Sequence, residues 1–297
     1  MTPLSTDDLT MSDGAVIRLR RHGVPGRTRL VLSHGNGLAI DAYALFWAPL
    51  ARDYDLVVFD IRNHGENPLH EARSHTWQRI FADMPEIFDG IERCYGAART
   101  VGAFHSLSAL AALDSALRHG TGWAALALFD PPIVPPPGHP LTQLERADVT
   151  DLVKRTLRRP PRYVSPAVFA AQLARKPQFS RWQPEAFAAV ALHTLRETAD
   201  GGWQLRNPRE LEAHIFESKP DVGHWQGMSR LSCPTLLIAG DPRSPFAAPA
   251  AHAARAIHQE IGTEYAFVPD TTHFLQLEAP QACREELLSF LARRGLR

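Results

Sequence analysis

Apolar residues arrive along this chain in two rhythms, short continuous runs and runs spaced three and four apart, and the alternation between them predicts the architecture. Residues 9–21 read as two short strands around the Asp13-Gly14 turn, an edge hairpin. Arg29–His34 is a continuous apolar run that ends in Gly35-Asn36-Gly37, and a helical stretch is expected from 41 to 51. Leu56–Asp60 repeats the short apolar run. From Trp77 to Tyr95 the apolar positions Ile80, Phe81, Met84, Ile87, Phe88 and Ile91 mark an amphipathic helix. Arg99–His105 is a further strand, followed after a single Ser106 by an Ala/Leu-rich helix. Trp123–Asp130 is another strand, stopping in a proline-rich segment. Strand and helix in strict alternation predict an α/β fold, a mostly parallel central sheet with helices on both faces.

From about Val134 to Arg230 the strand rhythm disappears. Helices are expected over 144–157, 166–174, 184–198 and 208–218, separated by turns containing Pro and Gly. The strand pattern resumes at Pro234–Asp241, followed by a helix over 247–261, a strand from Glu264 and a last helix over 280–293. The expected organisation is a core of residues 1–133 and 231–297 carrying a helical lid of residues 134–230.

Composition narrows the functional classes. The 32 Lys and Arg balance 32 Asp and Glu, so no net basic field favours nucleic acid or an anionic membrane. No run of about 18 apolar residues and no basic-then-apolar leader occurs, which predicts no transmembrane segment and a cytoplasmic protein. Cys94, Cys233 and Cys283 are an odd, widely spaced set that fits reduced thiols. The histidines and carboxylates show no ligand spacing for a metal, and no cofactor is expected.

The candidate chemistry lies at strand ends, where α/β sheets bind ligands. Ser106 stands between a strand and a helix with no loop, a corner that lifts its hydroxyl above the sheet and points free helix N–H groups at it. The backbone N–H groups of Asn36 and Leu107 are candidates to stabilise an oxyanion. Asp241 and His273 follow at later strand ends, in the order Ser, acid, His, and Asp130 closes the strand before them. Phe169, Phe179, Trp182, Phe187 and Trp225 are candidates to line an apolar acyl pocket, with packing of the lid's own core as the other reading.

Five ordered segments, His34-Gly-Asn-Gly37, Asp60-Ile-Arg-Asn-His-Gly65, His105-Ser106, Gly240-Asp241-Pro242 and His273-Phe-Leu-Gln-Leu-Glu-Ala-Pro280, resemble the successive signatures of the α/β-hydrolase superfamily. The stretch 200–216 is similar to the cap of its serine-nucleophile esterase and lipase-like branch. The resemblance implies Ser106 as nucleophile, His273 as base and Asp241 as orienting acid, with Asp130, at a position that some relatives use, as the alternative acid. Two departures stand out. The family usually has Gly two residues either side of the serine, where this chain has Phe104 and Ser108, and its loop after Gly240 usually runs two residues longer before the acid. Ser108 is the fallback nucleophile. The implied activity is hydrolysis of a carboxylic ester of a small, partly apolar substrate, with thioester, lactone or carbon–carbon bond cleavage as neighbouring chemistries and a non-catalytic ligand receptor as the alternative class.

Overall fold

The computed structural model describes residues 1–297. Its central sheet has eight strands: β1 (Ser5–Thr10), β2 (Val16–Gly23), β3 (Arg29–Ser33), β4 (Asp55–Phe59), β5 (Thr100–His105), β6 (Ala125–Phe129), β10 (Thr235–Ala239) and β11 (Glu264–Phe267). They lie in the order β1-β2-β4-β3-β5-β6-β10-β11. The first two pairings, β1 with β2 and β2 with β4, are antiparallel, and all the others are parallel. The expected hairpin is the antiparallel edge.

Both faces of the sheet are buried because neighbouring residues of a strand point to opposite sides. Val31, Val57 and Phe59 belong to one apolar core, packed with residues of the helices Trp77–Tyr95, Leu107–His119 and Pro249–Ile261. Leu30, Leu32, Leu56 and Val58 belong to the other, packed with residues 40–54 and the helix Pro280–Arg293. Strands apolar on both faces read as unbroken runs, and these were the elements most legible from the sequence. The helices Trp77–Tyr95 and Pro280–Arg293 start and stop where the pattern predicts. Thr76 accepts from the Arg79 N–H at 3.2 Å and caps the first of them.

Two expectations are corrected. Residues 40–52 form a chain of single helical turns, Ile40–Tyr43, Ala44–Trp47 and Ala48–Arg52, instead of one helix. Pro49 has no N–H to continue a ladder. Between β6 and β10 the chain is not purely helical. Helices Thr142–Leu157, Pro166–Ala174, Pro184–Thr194 and Arg209–Glu217 are joined by a small antiparallel sheet of β7 (Arg162–Tyr163), β8 (Leu195–Glu197) and β9 (Trp203–Leu205), in the order β7-β9-β8. Strands of two or three residues are too short to show a two-residue period. No helix is long and apolar enough to cross a membrane.

Candidate active site

β5 and the helix Leu107–His119 meet at Ser106, whose backbone has φ 52° and ψ −112°. A non-glycine residue at positive φ is strained, and here the strain is held by neighbours. The Ser106 N–H donates to the Phe129 carbonyl at 2.9 Å, and the Ser106 carbonyl accepts from the Leu110 N–H at 3.0 Å. The bulk of Phe104 is accommodated sideways. Its ring lies over Gly102, where a Cβ would come within 2.4 Å of it, and packs edge-on against Trp123 and Phe59. Ser108, the fallback nucleophile, is fully buried. Its hydroxyl accepts from the His105 N–H at 3.1 Å and donates to the His105 carbonyl at 3.0 Å.

Ser106 Oγ lies 3.0 Å from His273 Nε2, and His273 Nδ1 lies 2.9 Å from Asp130 Oδ2. The other oxygen of Asp130 accepts from the Gly240 N–H at 3.1 Å. Asp130 is wholly buried, whereas the His273 side chain keeps 25% of its surface exposed. A hydroxyl, an imidazole and a buried carboxylate in this sequence can pass the hydroxyl proton to Nε2 while the carboxylate fixes the tautomer.

The structure therefore does not pair His273 with Asp241, as the resemblance implied. Asp241 Oδ1 accepts from both the backbone N–H and Nε of Arg243 at 2.9 Å, and Oδ2 accepts from Nη2 of Arg243 at 2.9 Å and from the Asp270 N–H at 3.2 Å. Hydrogen bonding to Arg243 holds its carboxyl well below the usual carboxylate range. Asp241 pins a loop.

His273 is itself positioned from both sides. Glu278 accepts from the Thr272 N–H at 2.5 Å and from the Thr272 hydroxyl at 2.6 Å, which accounts for the glutamate five residues beyond the histidine. Gly240 lets this loop approach, since a Cβ there would lie 2.5 Å from the Thr272 carbonyl oxygen. On the other side, the His273 carbonyl accepts from Nε2 of His105 at 2.8 Å. A carbonyl cannot donate, so Nε2 carries the proton and Nδ1 accepts from the Tyr43 hydroxyl at 2.8 Å. That hydroxyl in turn lies 3.4 Å from the Gly35 N–H. Burial pushes the His105 imidazole well below its ordinary value.

The loop 34–37 passes against the serine. A Cβ on Gly35 would meet Ser106 Cβ at 3.1 Å and His105 Nδ1 at 2.9 Å. Leu107 opens the helix, so its N–H has no partner one turn back. His64 Nε2 accepts from the Gly37 N–H at 3.0 Å and from the Asn207 amide at 2.8 Å, while the Asn36 amide donates to the Glu212 carbonyl at 2.9 Å. These contacts tie the loop to the segment between β6 and β10. His34 donates through Nδ1 to the Gly35 carbonyl at 2.8 Å, and Asp60 accepts from the Ile40 N–H at 2.8 Å. Both brace their loops.

Of the candidate lining residues, Phe179, Trp182 and Phe187 form one aromatic group, and Phe274, next to His273, joins it at 5.4 Å from Phe179 and 5.2 Å from Trp182. Phe169 packs on Tyr163 at 4.4 Å. Trp225 lies elsewhere, donating to Glu260 at 3.0 Å with its ring tilted against His139 at 4.8 Å. Sequence reasoning missed Tyr43, Glu212 and Phe274 as parts of the site. Only Phe274 carried a local signal, its place directly after His273. No three His, Cys, Asp or Glu side chains converge as a metal-binding group.

The fold and this geometry define a hydrolase-type scaffold, and the chain belongs to the alpha/beta hydrolase family, whose model matches residues 30–286. Among solved structures it is similar to E-2-(acetamidomethylene)succinate hydrolase (14% identity, TM-score 0.78, covering 97% of this chain and 99% of that one). It is also similar to an alpha/beta hydrolase from Novosphingobium aromaticivorans (16%, 0.76, 99% and 99%) and to the thioesterase domain from the curacin biosynthetic pathway (18%, 0.73, 96% and 99%). These likenesses concern the fold. No curated protein sequence matches the chain.

Proposed function

We propose that this hydrolase cleaves a carboxylic ester through an acyl-enzyme on Ser106, with His273 as base and Asp130 as the orienting acid. The observation that supports this most is the unbroken hydrogen-bonded series from Ser106 Oγ through His273 to Asp130. Ser106 Oγ attacks the acyl carbon as its proton moves to His273 Nε2, and the carbonyl oxygen becomes an oxyanion. The N–H groups of Asn36 and Leu107 receive that charge, a contribution of roughly 10²–10³ in rate per donor in other hydrolases. His273 then gives its proton to the departing alcohol, and water repeats the sequence to release the acid. Asp130 keeps the imidazole in the tautomer with Nδ1 protonated and stabilises the imidazolium.

Residues 134–230 act in this reading as a lid over the acyl pocket. Phe179, Trp182 and Phe187 of the lid, with Phe274, form the apolar wall beside the base. Intact-mass measurement after fluorophosphonate treatment tests the assignment. A single adduct on the wild type, absent from Ser106→Ala and strongly slowed in His273→Ala, is the expected result. An unlabelled wild type that also fails to turn over short aryl esters and thioesters rejects it.

A further inference from the structure

Charge is balanced over the whole chain but not along it. Residues 144–181, within the segment that joins β6 to β10, hold nine Lys or Arg against three Asp or Glu. Arg159 is paired with Glu212 and Arg162 with Asp200. Lys176 is half-buried and Arg155 exposed, and neither is in an ion pair.

Two routes lead from the reacting hydroxyl to this basic patch. On the side of the base, the His273 ring lies 5.8 Å from Phe274, Phe274 lies 5.4 Å edge-on to Phe179, and Lys176 Nζ lies 6.0 Å over the Phe179 ring. On the side of the loop, Gly35 abuts Ser106, and a Cβ on Gly37 would come 2.4 Å from the Glu212 carboxyl carbon. Glu212 carries Arg159. Arg155 and Arg159 stand four residues apart where the helix Thr142–Leu157 ends, and burial together with these guanidiniums holds the Lys176 ammonium below its ordinary value. On the same helix, burial pushes the Asp148 carboxyl up. In the aromatic group between the two ends, the buried Trp182 indole N–H has no acceptor in the protein.

Like charges gathered at a partly dehydrated place repel, and a half-buried ammonium without a counter-charge is costly. An arriving anion relieves both costs, and aromatic faces between it and the serine suit an apolar spacer. We propose that Lys176, backed by Arg155 and Arg159, binds the anionic end of an acyl substrate whose carbonyl sits at Ser106 and whose apolar middle lies along Phe274, Phe179 and Trp182. The shared chemistry is a carboxylate on the acyl chain or a phosphate on the leaving group. This rests on the hydrolase reading, and the test separates the two.

The experiment compares kcat/KM within two matched pairs, phenyl decanoate against phenyl hydrogen sebacate, whose chain is long enough to run along the three rings, and decanoyl-N-acetylcysteamine against decanoyl-coenzyme A. Wild type, Lys176→Ala, Lys176→Arg and Arg155→Ala are assayed, with the fluorophosphonate labelling rate of each as the control for an intact site. The wild type is expected to prefer the charged member of one pair by about tenfold or more, the scale of a charge-assisted hydrogen bond. Preference in the first pair identifies a carboxylate on the acyl side, and in the second a phosphate on the leaving group. Lys176→Ala should shrink that preference at least fivefold, Lys176→Arg should keep most of it, and 0.5 M salt should weaken it. No preference in either pair, or a Lys176→Ala variant with the wild-type preference, overturns the proposal while the labelling leaves the hydrolase reading standing. If Ser106 is never labelled, calorimetric titration of sebacate and of coenzyme A into Ser106→Ala and Ser106→Ala/Lys176→Ala decides it. Binding that needs Lys176 supports the anion site, and absence of binding rejects it.

Discussion

Asp130 and His273 lie 143 residues apart in the chain and 2.9 Å apart in space, and Asp130 closes a strand that lies beside β10. Phe129 and Ile238 are partners across the two strands, so Asp130 and the Gly240-Asp241 pair stand at adjacent strand ends. The Asp130 backbone, at φ 45°, turns its carboxylate into the sheet end, where the Gly240 N–H receives one oxygen and His273 the other. The two aspartates are thereby separable by experiment. Asp130→Asn is expected to lower kcat on a short aryl ester by about 10⁴, the cost of a wrong imidazole tautomer. Asp241→Asn, which loosens Arg243 and Asp270, should stay within about fivefold, and steady-state kinetics of the two variants at neutral pH check this.

Tyr43, His105 and Gly35 make a strut between the loop at 34–37 and the loop that carries His273. Tyr43→Phe removes one hydroxyl and leaves the His105 Nδ1 lone pair and the Gly35 N–H without that partner. An unmet buried group costs about 1–3 kcal/mol. If the strut holds base and oxyanion donors in register, kcat should fall about tenfold with KM changed less than about twofold. A variant that loses only thermal stability, with kcat intact, rejects this role.

Gly35→Ala places a methyl group against Ser106 Cβ and the His105 ring. Neither contact can yield without moving the serine or the strut. A fall in kcat/KM of about 10² is expected, comparable to losing one oxyanion donor, with a circular-dichroism melt that stays cooperative. Activity equal to the wild type would mean that the loop lies further from the serine.

Buried histidines give stability a pH dependence of definite sign. Burial holds His105 and His64 well below their ordinary value of 6.5, and burial with the Arg62 charge brings His75 to about 3. In the unfolded chain each takes up a proton below about pH 6.5, while the folded chain does not. Stability is therefore complete above that pH and declines as pH falls through the window down to the folded values, by up to about 1.4 kcal/mol per pH unit for each group. Urea unfolding at pH 7.5, 6.5 and 5.5 should show a falling midpoint. An unchanged midpoint across the three would show that these imidazoles charge freely in the fold.

Whereas the broken turns over 40–52 were not, the strands of the core, the long helices Trp77–Tyr95, Leu107–His119 and Pro280–Arg293 and the corner at Ser106 were determined by the sequence alone. Each rests on a period read within a few residues, and a strand buried on both faces admits only unbroken apolar runs. His34–Gly37 and His273–Pro280 were legible for the same local reason. Tertiary structure alone decided what depends on side-chain direction between distant segments. Which of two neighbouring aspartates meets His273 turned on Arg243, two residues beyond Asp241, capturing that carboxylate, and on the backbone turn at Asp130. Tyr43, Glu212 and the short strands β7 to β9 left no periodic mark, because their roles come from contacts dozens of residues away or from runs too short to repeat. Burial pattern is a local property of the chain, whereas the partner of a polar group is fixed only when the chain has closed around it.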